Sequence, residues 1–255
     1  MSPGGGRSPF RFFALVFVLS LPFWLLGAAI PLELLPGLPI GALMAITPLI
    51  AASISVFREA GEAGLKALFA RGLDYRGIRP LWYLPTLLLL PALSAMAYGL
   101  MQASGTPLPR PEIPLLPTVL LFLGFVLLAF AEEVGWSGYA TDPLQERWGP
   151  LPAAVLIGIV WAAWHMIPLR QAQRPADWIA WWGLGTVCSR VIIVWIYNHA
   201  GKSVVAATLY HGMSNLCWQL FPDRGSHYDP RIMALLLLTT VAIITLFGGL
   251  RLPPR

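Results

Sequence analysis

From Leu115 to Ala131 the chain runs for seventeen residues without a charge, then places two carboxylates side by side at Glu132 and Glu133. Apolar chain resumes at once in VGWSGYA, from Val134 to Ala140. Such a segment narrows the possible folds sharply. A stretch of about 20 apolar residues is long enough to cross a bilayer as a helix. An ionisable side chain near the bilayer centre costs about 2.5–3.5 kcal/mol on insertion scales. Two in succession need partners supplied from within the protein.

Seven further stretches have the same character, giving eight expected spans: Phe10–Ile30, Leu38–Phe57, Leu81–Met101, Leu115–Ala140, Leu151–Leu169, Trp178–His199, Ser203–Phe221 and Arg231–Leu250. Only 11% of the 255 residues are charged, against about a quarter in soluble domains. The chain reads as an all-α, polytopic membrane protein, a single membrane domain with its chemistry-bearing core in 115–221. Its 11 tryptophans fit aromatic belts at the interfaces. Arg7 and Arg11 precede the first span as they would in a signal peptide, but its apolar core is too long and no cleavage signature follows, so a retained helix is expected. Eleven Lys and Arg fall on the side of the N-terminus, from Arg7 and Arg11 through Arg58–Arg79 to Arg251 and Arg255. Five fall on the other: Arg110, Arg170, Arg174, Arg224 and Arg231. That asymmetry places both termini in the cytoplasm. Leu65, Leu68, Phe69 and Leu73 recur at helical spacing among charges, which predicts an amphipathic helix or elbow on the inner surface. Pro22, Pro48, Pro85 and Pro91 fall inside spans and are expected to kink them. Cys188 and Cys217 lie in apolar stretches and read as small buried hydrophobes.

The polar residues that share the hydrocarbon depth are Glu132, Glu133, His165, Arg190, Asn198, His199, His211 and Asn215. His211 and Asn215 are four apart and face the same way on a helix, as do Trp161 and His165. Glu132 and Glu133 point about 100° apart, so one can face a cavity while the other needs its own partner. Counted along their spans, Glu132 and His211 both lie about 12 Å from the inner face, and His165 about 21 Å unless its helix starts later or tilts. A buried carboxylate beside a second acid is a candidate general base for a trapped water, with histidines to hold the water and His211 with Asn215 to stabilise an oxyanion. Such parts suit amide hydrolysis. Tryptophans such as Trp161, Trp164, Trp181 and Trp182 are more often packing or belt residues, His199 is expected at an interface, and His227 lies in a polar loop.

EEVGWSGY, WAAWH and LYHGMSN, in this order on separate spans, resemble the CAAX prenyl endopeptidase and bacteriocin-processing family, whose motifs are EExxxR, FxxxH and HxxxN or HxxxD. The resemblance covers roughly 115–221. It implies an intramembrane glutamic protease of about eight helices in which Glu132 activates water and His165 binds it. His211 and Asn215 would form the oxyanion site, and Glu133 would brace the fourth helix. Two positions depart from the pattern. Trp161 replaces phenylalanine, and Ser137 replaces the arginine that would pair with Glu133. Serine cannot neutralise a carboxylate, so Arg190, in the middle of the sixth span, is expected to supply the missing charge from another helix.

The leading expectation is therefore an endopeptidase cutting near the inner membrane face. Its substrate would be a membrane-associated or prenylated peptide or protein; in eukaryotic members three residues are removed from a prenylated C-terminus. The lipid bilayer is the other partner, and no nucleic acid is expected. Short loops point to a bacterial inner-membrane member. No cofactor is expected. A zinc site on Glu132, His165 and His211 is the minor alternative, although the HExxH spacing of common zinc proteases is missing. A catalytically silent scaffold or regulator is another alternative. A proton-relay transporter is weaker, because the two halves carry no duplicated pattern.

Overall fold

The computed structural model describes residues 8–247. Every expected span is helical: α1 Pro9–Ala29, α2 Thr47–Leu73, α3 Tyr83–Ala103, α4 Leu115–Gly135, α6 Pro150–Gln171, α7 Ala176–His199, α8 Val204–Leu220 and α9 Pro230–Leu246, with a short α5 at Asp142–Trp148. The protein is an all-α polytopic membrane protein. Among the described residues six helices are long and apolar enough to cross a membrane, rather than the eight expected. The other two, α8 and α9, have 17 residues each. At 1.5 Å per residue that is about 25 Å, short of a hydrocarbon core of about 30 Å. Ser203 and Asp229 start these two helices by accepting bonds from backbone N–H groups of their first turns. The end of the eighth expected span at Leu250, and Arg7, Arg251 and Arg255 of the charge count, lie outside the described residues.

The second expected span starts differently. Its first residues are strand and 3-10 turn: Glu33–Leu35 pairs antiparallel with Leu38–Pro39 in a small hairpin, followed by a 3-10 segment Ile40–Ile46. Pro31, Pro36 and Pro39, with Gly37 at φ +75°, favour turns over a continuous helix here. Pro48 then falls in the first turn of α2, where its missing N–H costs nothing, and Pro85 sits equally early in α3. Neither kinks a span. Pro22 and Pro91 do lie inside helices. The expected elbow is present: α2 breaks at Gly61, whose backbone (φ 61°, ψ −156°) is accessible mainly to glycine, and resumes with Leu68 buried and Leu73 exposed.

Helix pairs α6–α7, α4–α8, α7–α9 and α2–α4 make the main contacts. Small residues permit this closeness. A Cβ on Gly158 of α6 would lie 2.9 Å from the Val187 Cα of α7, and one on Gly212 of α8 would lie 3.2 Å from the Val126 backbone of α4. Both contacts hold helices that carry site residues. The tryptophans are not confined to belts. Trp136 and Trp164 are fully buried and Trp161 nearly so, and each indole N–H has an acceptor in the interior.

Candidate active site

Past Glu133 the fourth helix widens into a buried π-helical segment, Trp136–Thr141, before α5. Such widenings often mark functional sites. Glu132 and Glu133 are both buried, yet their surroundings are opposite. Glu133, with no exposure, is held by a bidentate pair from α7, Arg190 Nη1 to Oε2 at 2.8 Å and Nη2 to Oε1 at 2.9 Å. His211 Nδ1 lies 3.0 Å from Oε1, and the Ser137 hydroxyl donates to Oε2. Arg190 thus stands where the EExxxR pattern would bring its own arginine, and Ser137 adds a hydrogen bond without a charge. Arg190 is itself fully buried and stacks over the Trp161 ring at 4.3 Å. Two parallel N–H···O bonds between fully buried side chains are the geometry in which an ion pair offsets most of its desolvation.

Glu132 faces the other way, into a cavity of ≈ 190 Å³ that His165, His211 and Asn215 also line. Its Oε2 accepts the Trp161 indole N–H at 2.7 Å and lies 3.4 Å from that of Trp136. Trp161 is therefore more than a change of aromatic: phenylalanine has no donor to offer there. Trp136 was within reach of the sequence, since it follows Glu132 by one helical turn. Trp182, tilted against the His165 ring at a centroid distance of 5.2 Å, lines the same cavity, and nothing in its own stretch marked it for that.

The His165 Nδ1 lies 2.9 Å from the Trp161 carbonyl oxygen. A carbonyl only accepts, so Nδ1 carries the proton and Nε2 is left as an acceptor. The ring of Trp161 meets that of His211 at 4.9 Å, and His165 sits one turn beyond it. The helix does not start later than expected, since α6 begins at Pro150. It is Trp161 that is level with His211 and Glu132, while His165 is displaced along the cavity. His211, with Nδ1 on the Glu133 carboxylate, is oriented by the acid that the sequence assigned only to bracing a helix. Asn198 and His199 are not brought here. Asn198 exchanges two hydrogen bonds with Gln145, and His199 stacks on Trp82. Among the described residues no group of three His, Cys, Asp or Glu is arranged to hold a metal ion, and Glu132, His165 and His211 form no such group.

The cavity extends from Glu132 towards the hairpin and the loop after α6, where Leu34, Gly37, Arg174 and Trp178 line it. These residues lie at the end of the bundle away from the start of α1, to which the larger basic charge was assigned. A cavity reached from this end would open on the side opposite the basic ends of α1 and α2.

Residues 114–217 match the family model described as type II CAAX prenyl endopeptidase Rce1-like. The chain is 28% identical over 269 residues to CAAX prenyl protease 2 of Methanococcus maripaludis, covering 93% of each. The matched stretch contains Glu132, Glu133, Trp161, His165, Arg190, His211 and Asn215. The motifs and both matches agree: the chain is similar to the Rce1-like CAAX prenyl endopeptidases over its central region, and it is a membrane endopeptidase.

Proposed function

We propose that the protein hydrolyses a peptide bond of a membrane-associated or prenylated protein or peptide, using a water activated by Glu132 and no metal. The observation that carries this is the division of labour between the two acids. Arg190 and His211 are both gathered on Glu133, which leaves Glu132 with no ion-pair partner among the described residues, facing a largely apolar cavity. In the reaction the water oxygen attacks the scissile carbonyl carbon while its proton passes to Glu132. His165 Nε2 accepts the water's second hydrogen and so fixes its lone pair. The Asn215 amide donates to the developing oxyanion, and His211 joins it as a donor at Nε2 when protonated. Glu132 then returns the proton to the leaving amine as the tetrahedral centre collapses. General acid–base catalysis of this type contributes about 10²–10⁴-fold.

The test is to compare new peptide termini, by mass spectrometry of whole membranes, between cells producing the wild type and Glu132→Gln at equal abundance. Termini that appear only with the wild type are the expected result and identify the substrate. Identical sets from the two would refute the proposal.

We further propose that the protein sits in the cell membrane with the basic ends of α1 and α2 in the cytoplasm, so that the cavity is reached from the opposite side. The concentration of Lys and Arg beside α2 and α5 supports this. Single cysteines at Leu32, exposed beside the hairpin, and Lys66 in a protein lacking its two native cysteines separate the alternatives. An impermeant maleimide applied to intact cells should label the first and spare the second. The reverse pattern overturns the assignment.

A further inference from the structure

We propose that Arg174 binds the C-terminal carboxylate of the substrate. Of all the residues lining the cavity, Glu132 is the one acid and Arg174 the one lysine or arginine, and they lie towards opposite ends. Most of the remaining lining is apolar or aromatic. Among the described residues Arg174 has no carboxylate partner, whereas both terminal nitrogens of Arg190 are taken by Glu133.

The guanidinium is nevertheless held in place. It stacks over the Trp178 ring at 4.8 Å, and its Nη2 fills the space beside Gly37, where a Cβ would lie only 2.8 Å away. A planar fork fixed at the rim of an apolar cavity suits a bidentate carboxylate. This inference rests on the endopeptidase reading above and adds to it the end of the substrate that is recognised.

The probe is a farnesylated peptide ending Cys-Val-Ile-Ser, prepared as the free acid and as the C-terminal carboxamide. Binding is measured calorimetrically to Glu132→Gln protein in lipid nanodiscs, so that no cleavage intervenes. The acid should bind about 10–100-fold more tightly than the amide, the range of one charged hydrogen-bonded contact. Adding Arg174→Gln should abolish that ratio while leaving amide binding unchanged. Arg174→Lys should keep part of it. Equal binding of both forms, or a ratio that survives Arg174→Gln, overturns the inference. Loss of amide binding together with acid binding also overturns it, because Arg174 would then only support the fold. Cleavage by the wild type is read separately. Acid and amide cut equally fast would remove the role of Arg174 and leave the protease reading intact. Discrimination in binding with no cleavage of either form would do the opposite.

Discussion

Among the described residues two arginine–carboxylate clusters show what burial does to the same chemistry. Near the bilayer interior, Arg190 and Glu133 meet with both side chains at 0% exposure. At the end of the bundle nearer the start of α1, Arg71 and Lys202 share Asp142 at 2.6 and 3.0 Å, with Tyr197 donating to the same carboxylate at 3.1 Å. There Arg71 and Asp142 keep 27% and 17% of their exposure. Water and ions reach the second cluster and can replace a lost partner. Nothing can replace one in the first. On the inner carboxylate Ser137 and His211 take up lone pairs that Arg190 leaves, although the Arg190 Nε itself has no partner among the described residues, whereas the outer cluster shares its charge unevenly.

The comparison breaks most severely at Arg190. Arg190→Leu strands a buried carboxylate, so stability should fall by about 3–5 kcal/mol, and cleavage should be lost with the orientation of His211. Denaturant titration in detergent measures the first. Combining Arg190→Met with Glu133→Leu should recover much of the stability, because no unpaired charge is then left, but none of the activity. If the single variant were as stable as the wild type, the pair would not be the brace it is taken for.

The outer cluster should respond more weakly and in a different way. Asp142→Asn should cost about 1 kcal/mol after allowing for its exposure, and the loss should shrink in 1 M salt, because screening reaches this site. The loss at Arg190 should not change with salt. Thermal melting of both variants at two salt concentrations reads the contrast directly. Lys66→Ala, which removes a helix-surface pair with Glu62 whose side chains are each 75% exposed, should leave the melting temperature within error. A larger shift would mean that the elbow of α2 is held by charge rather than by Leu68.

Adjacent residues of one chain thus ended in different environments, and only part of that was legible beforehand. The helical period alone separates Glu132 and Glu133 by about 100° and so dictates that a single cavity cannot take both. Counting charges then leaves Arg190 as the one interior cation, which is why its pairing with Glu133 could be anticipated from a distant helix. The period does not say how α4 is rotated against its neighbours. Which acid faces the cavity, the Trp161 N–H on Glu132, and the attachment of His211 to Glu133 all follow from that rotation. The close contacts at Gly158 and Gly212 help to hold the helices concerned.

What the sequence by itself determined is local or cumulative: helices where apolar runs reach bilayer length, a membrane setting, and two acids that need different partners. These follow because hydrocarbon leaves a backbone few choices but to satisfy its hydrogen bonds within the helix. The tertiary structure decided whatever depends on two distant segments meeting. The hairpin replaced the start of an expected helix and brought Gly37 beside Arg174. The direction of the cavity separated the face of access from the depth of the site. Both are relations between elements, set by packing, and no window of sequence contains them.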